Sequence, residues 1–332
     1  MKTNKLFLFR FKFLWLGSVI LVGSCSSLYL AHDLVPKTVD QDPSLPSITL
    51  NVGGRSRKIH VRTFGNPSNP KLFIMPGSLS DIRPYLPFQE FADNWFVVMW
   101  DQRGQGLSER VSREELSFEM MVEEIRQVKQ VYAPSQQIYL LGHSWSANFA
   151  GLYTGTYPGD VARVVLMEPF GFKSESMQAS QSAVNLWTPG YLDMSWIAHL
   201  GPSLNHAQLD FRTLAMLKSR VRDFFMDDEN LPEWPVWRVG GYALFTWESA
   251  LIKNGSWDYD LSKGMENFTG RVLFIGSLFS PIGSDFQQKW HLPLYPIASQ
   301  ASVYVLTNSG HRMITENWTD LKTAIRQFLE AL

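Results

Sequence analysis

The run Gln137–Leu141 passes through Gly142-His143-Ser144-Trp145-Ser146 directly into Ala147–Tyr157, a segment rich in small residues. This junction constrains the fold more than any other feature. A short apolar run reads as a strand covered on both faces, and the small-residue segment reads as a helix close against it. A strand that turns at once into a helix belongs to an alternating layer of strands and helices.

The rest of the chain repeats that alternation. Ser47–Val52 and Lys58–Thr63 are β-like runs joined by the hairpin signal Gly53-Gly54-Arg55-Ser56. Further strands are expected at Lys71–Met75, Trp95–Trp100, Val161–Met167, Arg271–Ile275 and Ser302–Leu306. Helices are expected near Asp81–Asp93, over Glu114–Tyr132 and over Asn317–Leu332. In the second of these, Phe118, Met121, Ile125 and Val128 recur at spacings of three and four. The expected class is α/β: a mostly parallel central sheet with helices on both faces. Between residues 171 and 268 the alternation stops, and six of the twelve Trp lie there. That stretch is read as a helical cap inserted between two parts of one core, 47–170 and 269–332.

Composition narrows the function classes. With 45% hydrophobic and 18% charged residues over 332 positions, the chain can bury a large core and is too apolar to be disordered. Its net charge of −1 argues against a nucleic-acid protein, which needs a basic face. A single Cys rules out an intramolecular disulfide framework, and no nucleotide fingerprint is visible. No metal or organic cofactor is implied. Residues 1–24 carry Lys2, Lys5, Arg10 and Lys12 with no acid, then the apolar run Phe13–Gly23, and read as a signal peptide. The run ends at Val22-Gly23-Ser24-Cys25, which resembles a bacterial lipobox. Cys25 is therefore the expected lipidation site, residues 25–46 a tether, and the membrane a partner; an ordinary secretory signal or signal anchor is the alternative. Without residues 1–24 the chain has 26 basic and 31 acidic residues, a net of −5.

Gly142-His143-Ser144-Trp145-Ser146 has the form of a nucleophile elbow, with Ser146 where the last Gly usually stands. The turn must be tight, so small residues flank Ser144, whose hydroxyl projects at the sheet edge beside a helix N-terminus. Asp101-Gln102-Arg103-Gly104-Gln105-Gly106-Leu107-Ser108 follows one strand, and Thr307-Asn308-Ser309-Gly310-His311-Arg312 follows another. In order and spacing these motifs resemble the α/β-hydrolase family over residues 47–332, and are similar to its proline-iminopeptidase-like branch. The resemblance implies Ser144 as nucleophile and His311 as general base. It implies an oxyanion hole from the backbone N–H of Trp145 and one from the loop after Met75. Pro76 has no N–H, so Ser78 is expected there, with Leu79 next. His143 is expected to pack in the elbow, and Asp101 and Arg103 to brace their loop.

A carboxylate must hold the second nitrogen of the base. The position usual in the family aligns with Ser280, which carries no charge, and the next acid is Asp285. Gly283-Ser284-Asp285 also reads as a helix start with Ser284 as N-cap. The other candidate is Glu168, at the end of Val161–Met167 on the edge that bears Ser144. Geometry favours Glu168, with Asp285 as the alternative. In the cap, Glu233, Glu248 or Asp258 are candidates to hold a substrate's amino terminus, and Trp237 and Trp247 to line its pocket. Most cap Trp are expected to form the cap's own core. The expected substrate is a small molecule or short peptide. The expected activity is cleavage of an ester or amide through an acyl-enzyme at Ser144, with an aminopeptidase-like substrate as one option. Two alternatives stay open: an esterase or lipase on acyl esters, and a non-catalytic hydrolase-fold binding lipoprotein.

Overall fold

The computed structural model describes residues 35–183, 204–219, 235–240, 247, 252–253, 256–296 and 301–331. The signal run, Cys25, Glu233, Glu248, Trp187, Trp196, Trp234 and much of residues 171–268 lie outside them.

Strands β1 (Ser47–Val52) and β2 (Arg55–Phe64) form a hairpin closed by Gly53 and Gly54, at φ 60° and 74°. Two successive positive φ angles suit the twist of the flanking strands, and glycine takes them at little cost. Strands β3 (Lys71–Met75), β4 (Phe96–Trp100), β5 (Ile138–His143) and β6 (Val161–Met167) follow. The short hairpin β7 (Ile252–Lys253) and β8 (Ser256–Trp257) stands apart from the main sheet. Strands β9 (Arg271–Ser277) and β10 (Ala301–Leu306) complete an eight-stranded sheet in the order β1-β2-β4-β3-β5-β6-β9-β10. The β1–β2 and β2–β4 pairs are antiparallel; the others are parallel. This is the α/β architecture expected from the alternation.

The two faces of the sheet share each strand's residues alternately. Phe73, Val98, Leu140, Val164 and Phe274 face one core, with Met121, Ile125, Val128 and Phe149 from helices α1 (Phe118–Tyr132) and α2 (Trp145–Thr156). Leu72, Val97, Leu141, Val165 and Leu273 face the other, with Phe88, Phe91, Leu321 and Ile325. A period of two in strands buried on both sides yields continuous apolar runs and two cores.

Three segments differ from their sequence readings. Arg83–Asp93 is 3₁₀ rather than α-helical. Pro87 removes an N–H inside it and crowds the carbonyl four residues back. The helix expected from Glu114 starts at Phe118, because Ser117 caps it by accepting the Met120 N–H at 3.2 Å. The tether reading fails for part of its span. Thr38 and Val39 are buried, the Val39 N–H bonds Leu107 O at 2.8 Å, and Arg238 Nη1 bonds Pro36 O at 2.7 Å. These residues belong to the packed body, since their backbone groups find partners there.

Within residues 171–268 the described parts include helices α3 (Ser174–Ala183) and α4 (His206–Ser219). The two ends of the stretch meet: Leu261 N–H bonds Phe172 O at 2.7 Å, and the backbones of Lys173 and Asp260 form an isolated antiparallel β-bridge. The last helices are α5 (Ser284–Trp290), α6 (Met313–Glu316) and α7 (Trp318–Glu330).

Candidate active site

The site begins with backbone geometry. Ser144 sits between β5 and α2 at φ 58° and ψ −131°. A non-glycine residue adopts such angles only where the surroundings impose them. Here the Ser144 N–H bonds Met167 O at 2.9 Å and the Ser144 carbonyl accepts from Ala147 N at 2.9 Å. A Cβ on Gly142 would meet Ser146 O at 2.5 Å and Ala147 Cα at 2.7 Å, so the turn needs glycine there. Ser146 does not need to be glycine. Its hydroxyl donates to Pro76 O and accepts from Gln102 Nε2 at 2.5 Å, tying the elbow to the loop after β3.

The loop after β10 brings His311 to the same point. The Gly310 N–H bonds Glu316 Oε2 at 2.7 Å and pins that loop to α6. His311 Nε2 lies 3.1 Å from Ser144 Oγ, and its Nδ1 lies 2.5 Å from Glu168 Oε2. Glu168 ends β6 at φ 44°, is fully buried, and anchors its N–H on Ile275 O at 3.0 Å. Its other oxygen accepts from the Ser277 N–H at 2.7 Å and from the Ser277 hydroxyl. A carboxylate acceptor requires His311 to carry its proton on Nδ1, which leaves the Nε2 lone pair facing the Ser144 hydroxyl.

Asp285 is not part of this cluster. It is exposed in the first turn of α5, whose N-cap is Gly283 rather than Ser284. Ser280 is half-buried and accepts from Ile282 N at 3.3 Å. From this end of β9 it is Ser277 that reaches Glu168. Sequence reasoning missed Ser277, whose only signal is that it follows the apolar run of β9.

The loop after β3 runs beside Ser144. A Cβ on Gly77 would stand 3.1 Å from Ser144 Cβ. The Gly77 N–H is taken by Tyr85 Oη at 2.8 Å, so the available donors of this loop begin at Ser78. Ser78 Oγ is buried with no hydrogen-bond partner among the described residues, and Leu79 is held at φ 58°. Trp145 opens α2 directly after Ser144, so its backbone N–H lies at the elbow. His143 is buried between Tyr85 and the His311 loop, and burial holds its pKa well below 6.5, so it is neutral.

Asp101 braces its loop. Its carboxylate accepts from Ile82 N at 2.7 Å and Leu107 N at 2.8 Å and contacts His60 Nδ1 at 2.7 Å. Arg103 lies buried against Glu124, with Nε 2.8 Å from Oε2. Among the described residues Trp237 meets Asp81, His60 and Arg83: its N–H bonds Asp81 Oδ2 at 2.5 Å, and its ring meets His60 and the Arg83 guanidinium. Burial, and then the nearby Asp101, push the Asp81 carboxyl up to about 8. Trp247 is buried on Phe118 and Phe149, with ring centroids at 5.2 and 6.1 Å. Asp258 is exposed.

The parallel sheet, the strained elbow at the end of β5 and the imidazole delivered after the last strand define the α/β-hydrolase fold. The family model described as "alpha/beta hydrolase fold" matches residues 75–194. The chain is 30% identical over 101 residues to a proline iminopeptidase of Heyndrickxia coagulans. That alignment covers 30% of this chain and about a third, 35%, of the relative. Among solved structures, the chain is similar to a membrane phospholipase A described as a bacterial virulence factor, with a TM-score of 0.63, 17% identity and 98% of each chain covered. It is also similar to a thermophilic esterase from Thermogutta terrifontis, with a TM-score of 0.64, 15% identity, and 86% of this chain and 98% of that one covered. At these identities the likeness is one of fold.

Proposed function

We propose that this chain is a serine hydrolase that cleaves an ester or amide through an acyl-enzyme at Ser144. The observation that carries the reading is the continuous contact from Ser144 Oγ to His311 Nε2 and from His311 Nδ1 to Glu168. In this mechanism His311 takes the Ser144 proton as the oxygen attacks the substrate carbonyl. The negative oxygen that forms is held by the Trp145 N–H and by Ser78 or Leu79. His311 then passes the proton to the leaving alcohol or amine. A water, deprotonated by the same imidazole, releases the acid and restores the Ser144 hydroxyl. Glu168 keeps the tautomer and balances the imidazolium.

Within this reading the surroundings favour an apolar acyl ester over an aminoacyl substrate. Aromatic rings continue from His311 to Phe170 at 6.1 Å, from Phe170 to Trp145 at 6.0 Å, and from Trp145 to Phe149 at 6.1 Å. Among the described residues, Glu168 is already engaged by His311 and Ser277, and Asp81 by the N–H groups of Trp237 and Arg238. The esterase and phospholipase among the structural neighbours, and the weaker iminopeptidase match, bracket the two options. Export and lipid attachment at Cys25 belong to the same proposal and rest on residues 1–25 of the sequence. Mass spectrometry of the amino-terminal peptide, and release of Cys25→Ala into the soluble fraction, test that part.

A fluorophosphonate probe tests the enzyme. We expect labelling that disappears in Ser144→Ala. An unlabelled, folded protein would leave the binding-lipoprotein alternative standing. A panel of p-nitrophenyl esters of increasing chain length, set against aminoacyl naphthylamides, tests the substrate class. Faster turnover of the naphthylamides would overturn the ester preference.

A further inference from the structure

His143 precedes Ser144, is buried to 2% exposure, and uses both ring nitrogens. Tyr85 Oη lies 2.6 Å from His143 Nδ1, and His143 Nε2 lies 2.9 Å from the backbone oxygen of His311. Tyr85 Oη also accepts the Gly77 N–H at 2.8 Å. The direction of each bond follows from the groups at the two ends. An amide N–H only donates, so the Tyr85 oxygen accepts it, and in a buried neutral ring protonated on Nε2 the Nδ1 lone pair takes the Tyr85 proton. A carbonyl only accepts, so Nε2 must carry the imidazole proton. Burial keeps the ring neutral, and the neutral ring protonated on Nε2 satisfies all three bonds.

We propose that His143 and Tyr85 are positioning residues for the reaction at Ser144. One buried hydrogen-bond chain, from Gly77 through Tyr85 and His143 to the His311 carbonyl, holds the oxyanion loop and the base-bearing loop in register with the nucleophile. The proposal rests on the catalytic reading of Ser144 and His311 above. Its physical basis is that the three parts come from three separate loops. Gly77 follows β3, His143 ends β5, and His311 follows β10. Hydrogen bonds through the elbow itself give them a common reference. Gly77 is the fitting start of the chain, because its backbone passes against Ser144, His143 O and Tyr85 Oη and leaves little room for a side chain. The His143 ring also lies over that of His311, with centroids 4.8 Å apart. A neutral ring there adds no positive charge beside the imidazolium that forms in the reaction.

Three variants separate positioning from packing. Tyr85→Phe cuts the Gly77 side and keeps the ring. His143→Leu cuts both sides. His143→Gln keeps an amide donor for the His311 carbonyl and an acceptor for Tyr85. With p-nitrophenyl butyrate, and sites counted by fluorophosphonate titration, we expect Tyr85→Phe to lower kcat by about tenfold to a hundredfold with KM little changed, as displacement of reacting groups by a fraction of an ångström does. His143→Leu falls further, and His143→Gln recovers about tenfold over it. Affinity for a boronic acid that mimics the tetrahedral intermediate falls in step with kcat/KM. Independently of turnover, nitrogen-15 spectra of the imidazoles show His143 protonated on Nε2, with an Nδ1 shift that moves in Tyr85→Phe. Wild-type kcat per titrated site in Tyr85→Phe, or His143 protonated on Nδ1, overturns the proposal. A wild type that the probe does not label overturns the catalytic reading instead, and the imidazole spectra still decide whether the chain exists.

Discussion

Glu168 Oε2 lies 2.5 Å from His311 Nδ1, although 143 residues separate the two in the chain. The carboxylate comes from the end of β6, which pairs with β5 on one side and β9 on the other. It therefore stands between the strand that leads into Ser144 and the strand whose Ser277 grips its second oxygen.

Glu168→Gln exchanges the charge for an amide and leaves the imidazolium unbalanced. With Ser144, His311 and Glu168 acting as proposed, loss of kcat by about 10⁴ is expected, the effect of removing the acid from a Ser-His-Asp triad. Asp285→Asn, on the exposed face of α5, stays within about twofold. Steady-state kinetics on one ester decides between them, and equal effects would contradict the assignment.

Ser277→Ala removes the hydroxyl from Glu168 but leaves the backbone N–H at 2.7 Å. Hydrogen bonds to charged groups contribute about 1.5–3 kcal/mol, so kcat/KM falls by roughly tenfold or more. The loss stays smaller than in Glu168→Gln. Unchanged kinetics would mean that the N–H alone orients the carboxylate.

Ser146→Gly restores the more usual elbow sequence, yet we expect it to cost about 1–2 kcal/mol, because Gln102 and the Pro76 carbonyl lose their shared hydroxyl. Gly142→Ala is worse, because its methyl meets backbone that the elbow cannot move. Urea unfolding measures both, and a stabilised Ser146→Gly would show that the tie contributes nothing.

Two buried histidines make folding sensitive to acid. Burial drives the pKa of His291 down to about 3 and that of His143 well below 6.5. Between about 3 and 6.5 the unfolded chain binds protons that the folded chain refuses, so stability falls as the pH drops through this window. Each group contributes up to about 1.4 kcal/mol per pH unit there. In His291→Leu the decline in urea midpoint from pH 6.5 to pH 5 is shallower than in the wild type. An identical slope would show that His291 is not the titrating group.

Much of the architecture was readable before any coordinates. Lys71–Met75 and Val161–Met167 form strands over the expected ranges, because the apolar residues Leu72–Met75 and Val164–Met167 are buried on both faces of the sheet. The failures also have local causes. Pro87 turned an expected helix into 3₁₀ turns, and the partners of Val39 and Pro36 absorbed residues whose own sequence looks like a linker. His143 illustrates a middle case. Its burial in the elbow was legible, but its bond to the His311 carbonyl joins positions 168 residues apart, and no periodicity encodes that.

The amino-acid sequence alone determined the order of strands and helices, the position of the tight turn at Ser144 and the loop that carries His311. These features arise from local patterns of apolar, small and turn-forming residues. Only the tertiary structure decided which carboxylate meets the imidazole. Glu168 and Asp285 both follow strands and both fit a local motif, but strand order puts one beside β5, and the pitch of α5 turns the other toward solvent. The loop after β3, the elbow at Ser144 and the loop that carries His311 likewise meet only because the parallel strands align their carboxyl ends, and that alignment belongs to the sheet as a whole.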